Sequence, residues 1–388
     1  MSPTWMWSAI RPPCITRFDP MRSALGMRPR LPIPWLKAFR SRHAPSCRQT
    51  RPEITPSRRC RSACERTVGG SMMSNEQIKD TARRIARLRD HFIHHDRFGP
   101  LEDRFSLLIE KRLADCEAGR TSEAHGLALS GLSGTGKTSA MNHLMVRAGK
   151  RLNCSGHEAF SNVSIRVPSP ATLKFVGQTL LRALGYQISS ERQAWYIWDL
   201  VRHHLKERKI LFVHLDEAQD LASRGTRHEL NSVASMLKTL MTDPEWPVGI
   251  ILSGTPELED ILNHDPQLAR RMDTIHFESL SPVAHGNDVL DLIESYCSKA
   301  ELVPGPDILE LAHGERLIHA AANQFGLVIE LILAGIEQAY LAGASQLTRA
   351  HFAQAYHLRT SCDDTFNPFI IPDYVRIDAR QVFSREKR

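Results

Sequence analysis

The chain has 388 residues, of which 42% are hydrophobic and 24% are charged, as in ordinary globular proteins. Its length suits two domains or one large one, and no apolar run is long enough to cross a bilayer. The eight cysteines follow no regular spacing. We therefore expect a cytoplasmic protein with reduced thiols and no membrane segment.

The net charge of +7 does not by itself indicate nucleic-acid binding, because the charge is unevenly placed. Residues 1–71 contain 14 Lys and Arg residues against 3 Asp and Glu residues, which leaves 36 against 40 in the remainder. This leader also holds ten of the 22 prolines and has no periodic apolar pattern. Three interpretations stay open: a transit peptide, a basic disordered arm, or translated sequence upstream of the true start.

The third interpretation of the leader is favoured by its last residues. Gly69-Gly70 can be encoded by the purine-rich triplets of a bacterial ribosome-binding site, and Met72-Met73 follow at suitable spacing. We therefore expect residues 1–72 to be non-native or disordered, and dispensable. The spacing is poor for a metal cluster among the leader cysteines Cys47, Cys60 and Cys64.

From residue 74 the sequence becomes regular. Ser74 and Gln77 have the spacing of a capping box at the start of a helix. The arginines of the following stretch are expected mostly on a solvated face, opposite an apolar stripe of Ile78, Ala82, Ile85, Leu88 and Phe92. The segment 73–124 is therefore predicted to be helical and to lead into a core domain.

Residues 131–139 contain the phosphate-binding pattern G-x-x-x-x-G-K-[ST]. The apolar pattern predicts a buried strand before this loop and a helix after it. In that context the backbone N–H groups face a phosphate chain, Lys137 reaches the β- and γ-phosphates, and the Thr138 hydroxyl binds Mg²⁺. The predicted ATP-binding residues are Gly131, Leu132, Ser133, Gly134, Thr135, Gly136, Lys137, Thr138 and Ser139.

A second apolar strand, over residues 210–215, ends in the acidic pair Asp216-Glu217. An aspartate at the carboxyl end of a strand is expected to hold the Mg²⁺ shell beside Thr138. The adjacent Glu217 is expected to polarise the attacking water. Two neighbouring acids favour hydrolysis of ATP over transfer of its phosphate to a substrate hydroxyl.

Two further positions are candidates for catalysis. Ser253 and Thr255 follow another buried strand, and Thr255 is the preferred hydroxyl for the attacking water or the γ-phosphate, with simple turn chemistry as the alternative. Arg270 and Arg271 end a helix before a last strand. Arg271 is slightly preferred as a finger that reaches the γ-phosphate of a neighbouring subunit, and a helix C-cap is the competing interpretation.

Taken in order, these elements resemble the core of AAA+ ATPases, an α/β fold with a parallel sheet and helices on both faces. The resemblance implies a P-loop ATPase core over residues 125–280, a small helical lid domain over 281–360 and a tail over 361–388. Many AAA+ proteins place an arginine in the lid shortly after a glycine. None follows Gly326 at the expected spot, and the sequence does not place Arg316.

More narrowly, the chain resembles the TniB/TnsC group of transposon ATPases over roughly residues 75–378. This resemblance implies ATP-dependent assembly, as a ring or filament, on duplex DNA without sequence preference. It also implies recruitment of a DDE transposase and an accessory target-selection protein. The motifs that carry it are Phe92-Ile93-His94-His95-Asp96-Arg97, Leu180-Leu181-Arg182-Ala183-Leu184-Gly185-Tyr186, Asp216-Glu217-Ala218-Gln219-Asp220, Gly254-Thr255-Pro256-Glu257-Leu258 and Asn367-Pro368-Phe369.

DNA-binding AAA+ proteins tend to line their pore on and just after the second strand of the core. The candidate DNA contacts there are Arg166, Lys174 and Arg182, with a solvated surface as the alternative for each. The rival interpretation of the whole chain is an AAA+ ATPase without a nucleic-acid role, such as an ExeA-like secretion component or a signalling switch.

Overall fold

Five parallel strands form the central sheet of the computed structural model. The structure describes residues 74–154, 160–169, 171–188, 191–222 and 226–380. The expectations for residues 1–72, including the leader cysteines, lie outside these residues, as does the end of the tail, 381–388. The described residues belong to one compact unit, Ser71–Arg388.

The three central strands of the sheet are short, mostly apolar runs that are buried on both faces, which is typical of parallel sheets covered by helices, whereas the two edge strands are partly exposed. Their order across the sheet is β2-β3-β4-β1-β5. Because all five run in the same direction, the carboxyl ends of β1, β3 and β4 meet at one edge of the sheet. The strands are β1 (Gly126–Gly131), β2 (Ser161–Arg166), β3 (Ile210–Asp216), β4 (Gly249–Gly254) and β5 (Met272–Phe277).

Helices cover both faces of this sheet. Along β1, Leu127 and Leu129 face one apolar cluster with α2 and α3, whereas Ala128 faces the other with α4 to α7. This arrangement confirms the predicted α/β fold with helices on both faces. The helices of the core are α2 (Phe98–Glu117), α3 (Lys137–Cys154), α4 (Leu173–Ala183), α5 (Ala194–Glu207), α6 (Arg227–Met241), α7 (Leu258–His264) and α8 (Pro266–Ala269), and α1 (Asn75–Arg89) precedes them.

After β5 the chain is mostly helical, as predicted for the lid. Its helices enclose a third apolar cluster that includes Ile293, Ile332 and Phe352. Two short parallel strands, β6 (Val303–Pro304) and β7 (Gln346–Leu347), pair beside them. The lid helices are α9 (Pro282–Ala300), α10 (Leu311–Ala320), α11 (Phe325–Leu341) and α12 (Arg349–Thr360).

Helix α1 packs on the lid, whereas α2 packs on the core. Ile85 and Leu88 are buried in the lid cluster, and the Arg84 guanidinium lies 3.8 Å from the ring centroid of Tyr340. The segment 73–124 therefore divides between the two parts of the molecule. The start of α1 forms only half of the expected capping box. Ser74 Oγ accepts a hydrogen bond from the Gln77 N–H, but the Gln77 side chain donates to a carbonyl at the end of α11 and not to Ser74.

No single helix among the described residues is both long and apolar enough to cross a membrane. Helices α10 and α11 pass that test only when taken together, and the chain bends by 110° between them. Their apolar side chains, among them Ile318 and Ile332, are buried in the lid cluster.

Candidate functional site

A cavity of about 760 Å³ lies between the carboxyl edge of the sheet and the lid. One wall comes from the loop after β1, the start of α3 and the ends of β3 and β4. The other wall comes from α11 together with the segment between α1 and α2, where Phe92, Ile93 and His95 contribute. A cavity of this size suits a ligand the size of a nucleotide.

The loop after β1 curls because two of its glycines adopt backbone angles that other residues rarely adopt. Gly134 has φ of +85° and Gly136 has φ of +92°. Helix α3 begins at Lys137, so its N-terminus points at the cavity. Of the nine predicted ATP-binding residues, six line the cavity: Ser133, Gly134, Gly136, Lys137, Thr138 and Ser139.

The other three predicted loop residues shape the loop rather than line the cavity. Gly131 is the last residue of β1. Thr135 is buried, and its hydroxyl donates to the Leu132 carbonyl at 2.9 Å, which closes the turn. Leu132 itself exposes its side chain.

The Lys137 amine is buried at the base of the loop. Its Nζ donates to the carbonyl oxygens of Gly131 at 2.7 Å and Leu132 at 2.9 Å. Burial lowers the pKa of this amine, and the nearby carboxylates of Glu217 and Asp216 act against that shift. The side chain is therefore held beside the cavity by groups that accept hydrogen bonds, as phosphate oxygens also do.

Thr138 and Asp216 meet on the same wall. The Thr138 hydroxyl donates to Asp216 Oδ2 at 3.1 Å, although 78 residues separate the two in the chain. A hydroxyl and a carboxylate oxygen side by side are the hard oxygen ligands that Mg²⁺ prefers. The donor set therefore fits the metal that the sequence predicts, and these two residues are the ones that would hold it.

A chain of hydrogen bonds, buried at Ser253 and His214, holds Asp216 from behind. The Ser253 hydroxyl donates to Asp216 Oδ1 at 2.5 Å, and His214 Nε2 lies 2.8 Å from the Ser253 oxygen. Since the Ser253 proton is already used, Nε2 must donate, which leaves Nδ1 to accept from Ser164 Oγ at 2.8 Å. Burial lowers the pKa of His214 to about 4, so the ring is neutral at pH 7.

Glu217 follows Asp216 in a left-handed backbone conformation with φ of +55°. Both of its carboxylate oxygens have partners. Arg166 Nη2 lies 3.3 Å from Oε1, and Gln219 Nε2 donates to Oε2 at 2.9 Å. Sequence reasoning did not assign a role to Gln219 or His214, because the side-chain directions that bring them into the site are set by the folded backbone.

The two candidate hydroxyls after β4 have different surroundings. Thr255 lines the cavity, and its hydroxyl hydrogen-bonds the Glu257 carboxylate, which holds the pKa of Glu257 below its usual range. Ser253 is fully buried behind Asp216 and does not line the cavity. The geometry thus keeps Thr255 as the candidate for the reacting groups and gives Ser253 a supporting position.

Arg270 and Arg271 lie at the amino end of β5, the opposite edge of the sheet from the cavity. Strand β5 has six residues, which separates the two edges by roughly 17 Å. Arg271 is 6% exposed and donates to the Gln267 carbonyl and to Glu123 Oε2, the latter at 2.7 Å. Arg270 is 65% exposed and lies 4.0 Å from Glu123. Burial and two bonds make Arg271 less accessible to another subunit than Arg270, and the choice of finger between them stays a prediction.

The three candidate DNA contacts do not form one cluster. Arg166 ends β2 and pairs with Glu217. Lys174 lies in the first turn of α4 and pairs with Glu191 at 2.7 Å, whereas Arg182 is exposed in the last turn of the same helix.

The lid wall contains residues that sequence reasoning did not assign. The His95 ring lies 4.4 Å from that of Phe325, and its Nδ1 is buried without a hydrogen-bond partner among the described residues. Burial lowers the pKa of His95 to about 4. Arg359 of α12 also lines the cavity and pairs with Glu330 at 3.2 Å.

Arg316, which the sequence did not place, lies away from the cavity. Its guanidinium donates to the carbonyls of Pro368 and Ile371 and lies 4.2 Å from the ring centroid of Tyr374. This arginine therefore fixes the C-terminal tail to α10. A lid cation at the cavity comes instead from α12, far along the chain from Gly326.

Comparisons with known proteins identify a family for this chain. The sequence profile of the family described as "Bacterial TniB protein" matches residues 84–281, slightly more than half of the chain. Among curated proteins, none matches the sequence.

Several solved structures resemble this one at low sequence identity. The ORC2 protein of Aeropyrum pernix in ADPNP–ADP complexes is 16% identical with a TM-score of 0.49, over 67% of this chain and 70% of that one. The ORC1 protein of the same organism in complex with DNA is 17% identical with a TM-score of 0.48, over 67% and 68%. The Thermotoga maritima RuvB Holliday junction branch migration motor is 12% identical with a TM-score of 0.40, over 71% and 72%.

Proposed function

This chain belongs to the TniB family of bacterial proteins and is an ATP-hydrolysing enzyme of the AAA+ class, and from that premise we propose that it regulates DNA transposition. In this proposal the ATP-bound protein assembles on duplex target DNA and recruits a DDE transposase with an accessory target-selection protein. The single observation that carries the ATPase chemistry is the convergence of Lys137, Thr138, Asp216 and Glu217 on one cavity wall.

The residues of that wall divide the work of hydrolysis. Lys137 binds the β- and γ-phosphate oxygens, and Thr138 and Asp216 hold Mg²⁺, which when bound neutralises charge on the phosphates. The Glu217 carboxylate accepts a proton from a water whose oxygen attacks the γ-phosphorus. The bond to the β-phosphate oxygen breaks, and ADP leaves with that electron pair.

An arginine at the far edge of the sheet completes the site of another copy. Because Arg270 lies roughly 17 Å from its own cavity, it can serve only a phosphate on a neighbouring subunit. Its 65% exposure and weak pairing with Glu123 leave it free to do so. In such a trans arrangement, bound ATP stabilises the oligomer, because each nucleotide lies at a subunit interface.

Mixing two inactive variants tests the trans arrangement. Subunits with Arg270→Ala and subunits with Glu217→Gln should recover ATPase activity when combined, because some interfaces then contain an intact Arg270 and an intact Glu217. Arg271→Ala serves as the comparison and should act through loss of stability. Co-assembly without rescue at any mixing ratio would argue against Arg270 as the finger.

The DNA role rests on the family and on the cations near β2. A single subunit offers few of them, and the chain after the leader carries a small acidic excess. Assembly repeats the same cations along one inner surface, which explains why binding should need ATP. Arg166 has two duties in this proposal, since the side chain that meets DNA is also the partner of Glu217.

Fluorescence anisotropy of a labelled duplex tests the DNA role. The full chain and a chain starting at Met73 are compared with ATP, with a non-hydrolysable analogue and without nucleotide, over a salt series. We expect nucleotide-dependent binding to unrelated duplexes, with a log–log salt slope of roughly −0.9 per phosphate neutralised. Binding that ignores nucleotide, or that requires residues 1–71, would favour the ATPase without a nucleic-acid role.

Recruitment of a transposase has its own test. A DDE transposase encoded beside this gene should bind the protein when ATP and duplex DNA are both present. It should dissociate from the protein once the ATP has been hydrolysed. A transposase that binds equally well without DNA and ATP would contradict the recruitment step.

A further inference from the structure

Gln219 lies between two residues that line the cavity. It belongs to the single helical turn Ala218–Ala222 that follows β3. Its Nε2 donates to Glu217 Oε2 at 2.9 Å, and its Oε1 accepts from the backbone N–H of Thr255 at 3.1 Å. One side-chain amide thus joins the end of β3 to the loop after β4.

The chemistry of the two partners fixes the orientation of this amide. A backbone N–H can only donate and a carboxylate at neutral pH can only accept, so the amide oxygen must face Thr255 and the nitrogen must face Glu217. Glutamate at position 219 would place two carboxylates together, and asparagine is one methylene shorter. Glutamine therefore has both the functional group and the side-chain length that these two hydrogen bonds require.

The backbone around Gln219 leaves room for this bridge. A Cβ atom at Gly254 would lie 2.3 Å from Gln219 Oε1, so only glycine lets the amide cross the end of β4. On the other side, Glu217 has a left-handed backbone that non-glycine residues rarely adopt. Contacts that hold the Glu217 side chain, from Arg166 and from Gln219, accompany this conformation.

We infer that Gln219 is a positioning residue for ATP hydrolysis, which orients the Glu217 carboxylate toward the attacking water and ties that orientation to the loop that carries Thr255. This inference rests on the proposed role of Glu217 as the base. Gln219 acts through Glu217 and does not contact ATP, so its loss should slow the chemical step and leave ATP affinity unchanged.

The experiment measures kcat and the ATP dissociation constant of the full chain for four variants: Gln219→Ala, Gln219→Met, Glu217→Gln, and Gln219→Ala combined with Glu217→Gln. Gln219→Met keeps the length and packing of the side chain and removes both hydrogen bonds. We expect either Gln219 variant to lower kcat roughly tenfold to a hundredfold, the cost of a small misplacement of a reacting group. ATP affinity should stay within about twofold, because the contacts to ATP are unchanged.

The double variant separates a positioning role from a structural one. If Gln219 acts only through Glu217, Gln219→Ala should lower kcat no further once Glu217→Gln is present. Asp220→Ala is the matched control, because Asp220 lies in the same helical turn. Its side chain has no partner among the described residues, so its removal should leave kcat unchanged.

The experiment distinguishes failure of the proposed base, Glu217, from failure of the inference about Gln219. If Glu217→Gln hydrolyses ATP at the normal rate, the proposed base is wrong and the inference falls with it. If Glu217→Gln is slow but both Gln219 variants turn over normally, only the inference is overturned. It is also overturned if Gln219→Ala weakens ATP binding as much as turnover, or lowers kcat by the same factor in the Glu217→Gln background.

Discussion

The wall of the cavity that contains the P-loop differs from the lid wall in how its side chains are held. On the P-loop wall, polar groups are bonded to one another across three strands, from Ser164 through His214 and Ser253 to Asp216 and then Thr138. On the lid wall the contacts are mostly apolar, and His95 keeps a ring nitrogen without a described partner.

From this difference we expect the P-loop wall to carry the chemistry and the lid wall to contribute less to it. Groups fixed on strand ends by hydrogen bonds are held rigidly, because the sheet beneath them is buried and continuous. The lid is held by packing, which tolerates displacement at lower cost. Changes on the P-loop wall should therefore have steep effects on ATP binding and turnover, and changes on the lid wall should have shallow ones.

The steepest effect is expected at Lys137. Lys137→Ala removes two or more charge-assisted hydrogen bonds to the terminal phosphates, each worth about 1.5–3 kcal/mol. ATP affinity should fall roughly a thousandfold, measured by calorimetric titration. Lys150→Ala, an exposed lysine on the same helix, is the control. Equal losses in the two variants would mean that Lys137 does not act through direct contact with the phosphates.

Removal of the support behind Asp216 should have a smaller effect on the same wall. Ser253→Ala deletes the 2.5 Å bond to Asp216 and leaves His214 Nε2 without an acceptor. The Mg²⁺ concentration for half-maximal ATPase activity should rise roughly tenfold to a hundredfold, as for other groups that orient metal ligands. Ser164→Ala, at the exposed end of the chain of bonds, should change it little. The same rise in both would mean that the chain acts only through stability.

The contact between the P-loop and the start of α11 should have an intermediate effect on ATP affinity. A Cβ atom at Gly326 would lie 2.6 Å from the Gly134 carbonyl oxygen, so Gly326→Ala pushes α11 off the P-loop. Overpacking of this kind costs about 1–3 kcal/mol, and ATP affinity should fall roughly tenfold. Gly99→Ala, a helical position with nothing within 4 Å, is the control and should be neutral or stabilising. A neutral Gly326→Ala would show that the lid does not shape the site.

The smallest effect is expected at His95. His95→Phe keeps an aromatic ring against Phe325 but removes both ring nitrogens of a residue that lines the cavity, a loss of one hydrogen bond to the nucleotide worth about 1 kcal/mol. ATP affinity should fall roughly fivefold with kcat unchanged.

The pH dependence of ATP affinity sharpens this prediction. Burial lowers the pKa of His95 to about 4, so the ring gains its proton only well below pH 6. The contribution of His95 to ATP affinity should therefore be the same at pH 7.5 and pH 6, because the ring stays neutral over this range. A drop in affinity between pH 7.5 and pH 6 that disappears in His95→Phe would contradict it.

The P-loop wall could be predicted from the sequence because its residues occupy the ends of apolar strands. Once the strands are parallel, Lys137, Thr138, Asp216 and Glu217 must meet at one edge, whatever the rest of the chain does. The supporting residues do not follow from this rule. Gln219 enters the site through the turn of the backbone after Glu217, and no periodic pattern encodes that direction.

The choice between the two arginines shows a second limit. Arg270 and Arg271 are chemically identical but differ in exposure. The difference comes from Glu123 in the loop before β1, which pairs with the buried Arg271. Likewise the lid cation at the cavity, Arg359, comes from α12, so inspection of the residues after Gly326 does not find it. Contacts between distant segments, rather than local patterns, decide such roles.

The contact between P-loop and lid also constrains how this sequence can vary. A side chain at Gly134 would meet Leu327, and one at Gly326 would meet the Gly134 backbone, so the two glycines occupy the same space from opposite sides. Neither position can accept a larger residue while the other segment stays where it is. A shift of α11 could relieve a substitution at Gly326, but not one at Gly134, whose φ of +85° strains other residues whatever the space. The small residue at Gly326 is thus set by a loop that lies 192 residues away in the chain.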